Sequence, residues 1–354
     1  MKILDRYLAG AVVGGTLATL GVLLPLLGFF ILADEMDQVG PTGYRFQDAL
    51  LFMVLSLPRY AYQLFPIATL IGALLGLGAL AARSELVAMR AAGVSVGRIV
   101  WAGLKGGLLL AVCAVLVGEA VAPAAEQRGI ELRRAALSGE VAQRTPYGFW
   151  AIDDRAYVNI REILSGTSIR DISIYQIDSG AGTLVATHAD GARYRNGQWV
   201  LEGISRSRVS REGVKVERIA SSGWDSMLDP GLLKVVVVNP QALPVWGLWK
   251  YIRFMTVNEQ DASAYEVVFW GKIVHPLLTL SMVLVSIPIL LGSTRTQGTG
   301  MRLFFGVLVG IVYYLVSRTF AYLSLLYGLS PILSALAPPL LFIGAAVLVL
   351  RRLG

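Results

Sequence analysis

Cysteine, histidine and charge are all scarce in this 354-residue chain. It has one cysteine, Cys113, and two histidines, His188 and His275, and only 16% of its residues are Asp, Glu, Lys or Arg. A lone cysteine excludes an intrachain disulfide, whichever compartment holds the chain. So few Cys and His residues leave nothing to build a structural metal centre from, so no metal is expected. No glycine-rich loop leads into Lys-Ser or Lys-Thr, and Gly271-Lys272 is not such a loop, so the chain is not expected to bind or hydrolyse ATP itself. No Ser/His/Asp arrangement surrounds any serine, and neither a catalytic residue nor a cofactor is expected. The formal charge of +7 is not gathered into basic runs with interleaved aromatics, which removes nucleic acid as a partner.

Apolar residues are what the chain has in plenty: 55% of it is hydrophobic and its mean hydropathy is +0.62, a balance that needs lipid as the solvent for much of the chain. Six runs are each long enough for a bilayer core: Leu8 to Ala33, Tyr60 to Ala82, Ile99 to Ala122, Ile273 to Gly292, Leu303 to Tyr327 and Ile332 to Leu350. The second is preceded by Phe46 to Leu57, with Pro58 as an expected kink, and the third is expected to end at Pro123. The first run is too long for the apolar core of a signal peptide and is kept as a span. If the six spans alternate, Lys2, Arg6, Arg83, Arg90, Arg98, Arg295, Arg302, Arg351 and Arg352 share one side, which is expected to be the cytoplasm, with both termini.

Between the third and fourth spans the pattern changes. Phe149 to Ile152, Ala156 to Ile160, Ile169 to Ile177, Thr183 to Thr187, Gln198 to Leu201, Gly213 to Ile219 and Lys234 to Val238 are short β-prone runs, broken by Asp-Asp, Ser-Gly, Asp-Gly and Asn-Gly pairs. They predict consecutive antiparallel strands in a small sandwich or jelly-roll, flanked by helices over Glu126 to Leu137 and Pro244 to Phe254. The expected fold is therefore an α-helical membrane protein with six transmembrane helices and an inserted all-β domain. Spans one to three occupy 1–123, the exposed domain 124–267 and spans four to six 268–354.

Two features point towards function. Between the second and third spans, Ser84 to Gly93 reads as a short helix: Ser84 as cap, Glu85 at the positive end of the dipole, Arg90 towards the negative end and Gly93 at the exit. Leu86, Met89 and Arg90 are expected on one outward face. Either it is a loop helix lying among lipid headgroups, or a coupling helix that seats in a groove of an ATPase subunit. The second feature is Arg318, separated from Arg302 by an uncharged helical stretch of about 24 Å at roughly 1.5 Å per residue. Its readings are a structural pair with Glu119, or with lipid headgroups, and contact with an anionic amphiphile. Lys105 is expected to snorkel, and Lys272 and His275 to lie near the outer interface.

Leu4-Asp5-Arg6-Tyr7, Arg83-Ser84-Glu85-Leu86-Val87-Ala88-Met89, Gly118-Glu119-Ala120-Val121-Ala122-Pro123 and Asn258-Glu259-Gln260-Asp261-Ala262 with Tyr265 occur in this order. Together they resemble the LptF/LptG permeases of the lipopolysaccharide-transport ABC exporter, over nearly the whole chain. The resemblance implies an inner-membrane permease with its β domain in the periplasm and a heterodimer with a second, LptF-like permease. It also implies an LptB-like ATPase dimer, an LptC-like single-span jelly-roll protein and an LptA-like periplasmic bridge. Carried onto this sequence, Arg83, Ser84, Glu85, Leu86, Met89 and Arg90 would contact the ATPase. Leu27, Phe30, Ile31, Leu64, Phe65, Tyr313, Tyr314, Arg318 and Phe320, on the first, second and fifth spans, would meet lipopolysaccharide. Family members often carry basic residues near the periplasmic end of the first span, where this chain has Asp34, Glu35 and Asp37. Anion recognition is then expected from Arg45, Arg59, Lys272 or Arg318, or from the partner permease. The competing reading is a mechanotransmission subunit that moves a periplasmic domain without carrying lipid.

Overall fold

The computed structural model describes residues 3–40, 44–136, 143–153, 156–165, 167–178, 183–195, 197–210, 213–224, 226, 240–258, 260–292 and 299–353. In chain order these form α1 (Ile3–Met36), α2 (Phe46–Ala82), α3 (Glu85–Ala91), α4 (Val96–Leu116), a π-helical turn (Val117–Val121) and α5 (Ala122–Ala136). There follow strands β1 (Gln143–Asp153), β2 (Ala156–Ser165), β3 (Ser168–Asp178), β4 (Thr183–Arg195), β5 (Gln198–Ser210) and β6 (Gly213–Trp224). The chain ends with α6 (Val245–Val257), α7 (Ser263–Gly292), α8 (Thr299–Tyr327) and α9 (Pro331–Leu353). Six segments are long and apolar enough to cross a membrane: Ile3–Met36, Phe46–Ala82, Val96–Arg133, Ser263–Gly292, Gly300–Tyr327 and Pro331–Arg352.

The spans are longer than their apolar runs, because helix continues through residues that a bilayer would not hold. Pro58 does not break α2, which runs through it and through Pro66 for 37 residues. Pro123 does not end the third span either. Here the π-turn supplies the reason: the Ala122 N–H bonds to the Val117 carbonyl, five residues back. That wider turn relieves the clash a proline ring makes with the preceding turn of an α-helix, so α5 continues the same rod.

Chain packing divides the protein into two compact units, one of residues 1–137, 244–248 and 262–354 and one of 138–243 and 249–261. The helical unit is centred on α2 and α7. Leu8, Val12, Phe65, Ala68, Leu77, Ile99, Ala102, Leu110, Val283 and Ile287 form its main core. A second cluster joins Leu70 and Leu74 to Met282, Val285, Tyr313 and Ala346. Small residues set the closest crossing. A Cβ placed on Gly72 would lie 2.3 Å from the Thr16 Cα, and one on Gly15 would lie 2.0 Å from the Gly72 carbonyl oxygen. Among apolar helices in lipid, such backbone contact supplies the dispersion energy that a hydrophobic driving force supplies in water.

The second unit holds one six-stranded sheet in the order β1-β2-β3-β4-β5-β6, all antiparallel. The expected consecutive antiparallel strands are there, each longer than its apolar run. Asp190-Gly191, read from sequence as a turn, lies within β4, where Gly191 pairs with Glu202. Nearest-neighbour connections join every described strand, and the run Lys234 to Val238 lies outside the described residues. Val158, Ile160, Ile163, Ile169, Ile172, Ile174, Ala189, Trp199, Leu201 and Ile204 are buried together, and Phe254 of α6 packs against them. Strand β6, last in the described order, is exposed over Gly213–Glu217.

Candidate functional site

The short helix α3 forms as expected and ends at Ala91, with Ala92 as its C-cap and Gly93 next at φ +87°. Its start differs from the expectation. Ser84 has φ +59° and its side chain caps nothing. A left-handed serine reverses the chain after α2, its N–H donating to the Ala81 carbonyl and its own carbonyl accepting from Ala88. The face presented outward also differs. Leu86 is buried at 3% exposure and, with Met89 partly buried beside it, packs into the main helical core. The outward surface consists of Arg83, Ser84, Val87, Ala88, Arg90 and Ala91, with Val87 66% exposed. Of the three large apolar side chains in these seven residues, Leu86 and Met89 lie one turn apart and hold the helix on the bundle, while Val87 faces outward.

Glu85 is half-buried and accepts a hydrogen bond from the Tyr7 hydroxyl of α1 at 2.7 Å. Close by, Lys105 of α4 does not snorkel freely but pairs with Asp5 of α1. Two polar links thus tie the first turns of α1 to α3 and to α4. Neither was read from the sequence; the signal available was that Asp5, Tyr7, Glu85 and Lys105 all lie near the same end of their spans.

The residues expected to meet lipid divide into three groups. Phe30, Tyr314 and Arg318 are exposed. Leu27, Ile31, Leu64 and Phe320 are half-buried. Phe65 and Tyr313 turn inward: Phe65 joins the main core, and Tyr313 meets Phe342 of α9 edge-on with ring centres 5.2 Å apart. The exposed residues stand in an apolar surround. Phe29 lies edge-on to Phe30 at 5.9 Å on α1. On α8, Phe304, Leu308, Ile311 and Leu315 are exposed as well.

Of the four cations expected to receive an anion, two are already neutralised. Arg59 pairs with Glu126 of α5 at 3.0 Å. Lys272, whose side chain is 7% exposed, pairs with Glu119 at 3.1 Å, so Glu119 is not the partner of Arg318. The other oxygen of Glu119 accepts from the backbone N–H of Val245 at 2.6 Å. Beside this pair Tyr62 stacks on His275 with ring centres 4.0 Å apart, and His275 Nε2–H donates to the Tyr62 carbonyl at 3.1 Å. Arg45 and Arg318 are exposed and, among the described residues, have no carboxylate partner. Arg45 instead starts α2, its N–H donating to Asp48 at 2.9 Å. The Arg318 guanidinium lies over the Tyr314 ring, 5.3 Å from its centre, and its Nε–H donates to the Tyr314 hydroxyl at 3.2 Å. This leaves Arg318 a preformed donor, held on a ring and facing outward, in the middle of an apolar surface.

The acidic end of α1 is also explained. Glu35 is buried and accepts from Arg133 at 3.1 Å and from Tyr44 at 3.2 Å. Burial, reinforced by the Glu35 charge, pushes the Tyr44 phenol up to about 12. Glu35 is thus an internal tie, while Asp34 and Asp37 are exposed.

A family model described as the lipopolysaccharide export system permease LptF/LptG matches residues 6–352. The chain is 34% identical over 342 residues to the lipopolysaccharide export system permease protein LptG of Haemophilus influenzae, covering 96% of each chain. It is 31% identical over 353 residues to the protein of the same name from Escherichia coli K12, covering 99% of this chain and 98% of that one.

Proposed function

We infer that this chain, which belongs to the lipopolysaccharide export system permease LptF/LptG family, is the permease subunit that takes lipopolysaccharide out of the inner membrane and passes it to a periplasmic β-jelly-roll bridge. Its relatives carry the name of that export permease over nearly their full length. Six apolar helices, together with the family assignment, support a multi-pass protein of the inner membrane. In the proposed arrangement both termini and α3 are cytoplasmic and the β domain is periplasmic. An LptF-like permease completes the transmembrane cavity. An LptB-like ATPase dimer hydrolyses ATP, and LptC-like and LptA-like proteins continue the β bridge.

Extracting a lipid removes acyl chains from hydrocarbon at about 0.8 kcal/mol per CH₂ that becomes wetted, so a permease must replace the bilayer with an apolar wall of its own. Leu27, Phe30, Ile31 and Leu64, with Tyr314 and Phe320, supply that wall in this reading, and Arg318 supplies a cation for a lipid phosphate. Arg45 is the other of the four named cations that has no carboxylate partner among the described residues. The ATPase seats against the outward surface of α3 (Arg83, Ser84, Val87, Arg90) and its closure is passed to the spans. Glu85, Leu86 and Met89 then act from behind, holding α3 to the bundle.

The observation that carries the lipid assignment is Arg318: an exposed guanidinium, without a carboxylate partner among the described residues, on the least buried and least hydropathic of the six spans. A mechanotransmission subunit has no need of a charge there. The test is a photo-crosslinking residue placed at Phe30, Tyr314 or Arg318, with Phe65 as the inward control, in membranes containing the assembled complex. Lipopolysaccharide adducts at the first three positions, absent at Phe65 and lost when ATP is supplied, are expected. Crosslinks to protein alone would replace this reading with mechanotransmission.

A further inference from the structure

We propose that Tyr7 is a positioning residue that transmits movement of α3 to the first span through its hydrogen bond to Glu85. The proposal rests on the reading of α3 as the ATPase contact and goes beyond it by naming the link through which that contact acts.

Three observations carry it. First, α3 is set off from the spans by a chain reversal at each joint, Ser84 at φ +59° on one side and Gly93 at φ +87° on the other. A seven-residue helix between two such joints moves as a small lever unless side chains hold it. Second, its apolar anchor is limited to Leu86 and Met89; these fix its depth but, being apolar, give no directional bond. Third, the Tyr7 hydroxyl donates to Glu85 at 2.7 Å, a charge-assisted bond that reaches across 78 residues of sequence to α1.

The position of Tyr7 decides what such a bond does. It lies one turn into α1, two residues after Asp5, whose carboxylate holds Lys105 of α4. Force applied to α3 therefore reaches α1 at a point pinned to the next span, and α1 turns or tilts as a rod instead of fraying at its end. Along that rod α1 crosses α2 in direct backbone contact at Gly15 and Gly72, and further on it carries Phe29 and Phe30 on its exposed surface. A displacement at Tyr7 is thus delivered to the proposed lipid wall.

The test uses the full complex reconstituted in lipopolysaccharide-containing liposomes, comparing Tyr7→Phe, Tyr7→Ala and Glu85→Gln. Two quantities are read: lipopolysaccharide released per ATP hydrolysed, and amide hydrogen exchange of residues 85–91 in the chain without its ATPase. Tyr7→Phe keeps the ring and removes only the donor. It is expected to speed exchange in α3 and to lower lipid released per ATP by about fivefold or more, the lower end of an ordinary coupling between sites. Adding Tyr7→Phe to Glu85→Gln should cost less than Tyr7→Phe alone, since glutamine keeps an acceptor but has already lost the charge that strengthens this one bond. If Tyr7→Phe behaves as the unsubstituted chain while Tyr7→Ala fails, the ring alone matters and the proposal falls. It falls equally if exchange rises with lipid per ATP unchanged, which leaves the bond a local tether. Failure of the permease reading itself would appear separately, as an absence of lipid adducts with Tyr7 intact.

Discussion

The fourth and fifth spans make an instructive pair. Both are long apolar helices, with mean hydropathies of 2.1 and 1.8 over their most apolar stretches, yet 61% of the first stretch is buried within the chain and 17% of the second. Hydropathy therefore says that a segment meets lipid or core and not which. Side-chain size and polarity separate them better. The fourth span puts Thr279, Ser281, Met282, Val283, Ser286 and Ile287 inside, with hydroxyls turned onto backbone carbonyls three or four residues back. The fifth puts Phe304, Tyr314, Tyr322 and Tyr327 outside. Bulky aromatics on the exposed side of a span that its own chain does not cover define a surface for something else.

The largest expected effect lies where the buried side is tightest. Gly72→Leu drives a side chain into the Thr16 backbone and is expected to cost about 3 kcal/mol or more, which leaves little folded protein in a fluorescence size-exclusion assay. Gly21, around which a Cβ meets nothing within 4 Å, tolerates alanine within about 0.5 kcal/mol. Equal effects at the two glycines would mean that the α1–α2 crossing is not what holds the buried side together.

Much of this division was legible in the sequence and some was not. The six spans, the inserted antiparallel strands and the short helix after Arg83 follow from apolar runs, period-two alternation and turn residues. What escaped was orientation and pairing. Leu86 and Met89 fix a face of α3, but nothing local says whether that face meets the bundle or a partner. Pro123 is strong punctuation in isolation, and only the π-turn before it lets the helix continue. Arg59, Lys272 and Arg318 look alike as lone cations in sequence. Only when distant carboxylates arrive do the first two become internal pairs, while the third has no carboxylate partner among the described residues.

The second effect probes one of those pairs. Lys272→Ala strands the Glu119 carboxylate in a site where its cation was 7% exposed, and is expected to lower stability by about 3 kcal/mol, read as the shift in thermal unfolding in detergent. The double change Lys272→Met with Glu119→Gln removes both charges and should recover more than half of that loss. Absence of recovery would show that Glu119 matters chiefly as acceptor of the Val245 N–H.

A smaller effect is expected at the junction of α1 and α2. Tyr44→Phe removes one donor from Glu35 and leaves Arg133, a loss of about 1 kcal/mol. The pH dependence has a definite sign. The folded-state value of about 12 lies above the ordinary tyrosine value of 10.0, so the contribution of the neutral phenol is complete below pH 10 and is lost as pH rises towards 12. Alkaline unfolding of Tyr44→Phe should lack that component; an unchanged alkaline profile would show that Tyr44 does not titrate with unfolding.

The smallest effect on stability is expected where the effect on transport is large. Arg318→Ala removes a side chain whose described partner is the exposed Tyr314 one turn away, and should change stability by no more than about 0.5 kcal/mol. If the exposed side of the fifth span serves cargo, the same change lowers lipopolysaccharide release without lowering folded protein, and Arg318→Lys restores only part of it. An ammonium keeps the charge but loses the planar stacking on Tyr314 and the forked donors that suit a phosphate. Full rescue by lysine would reduce the requirement to charge alone. A fall in folded protein with Arg318→Ala would instead place this residue on the packed side of the comparison, with the fourth span.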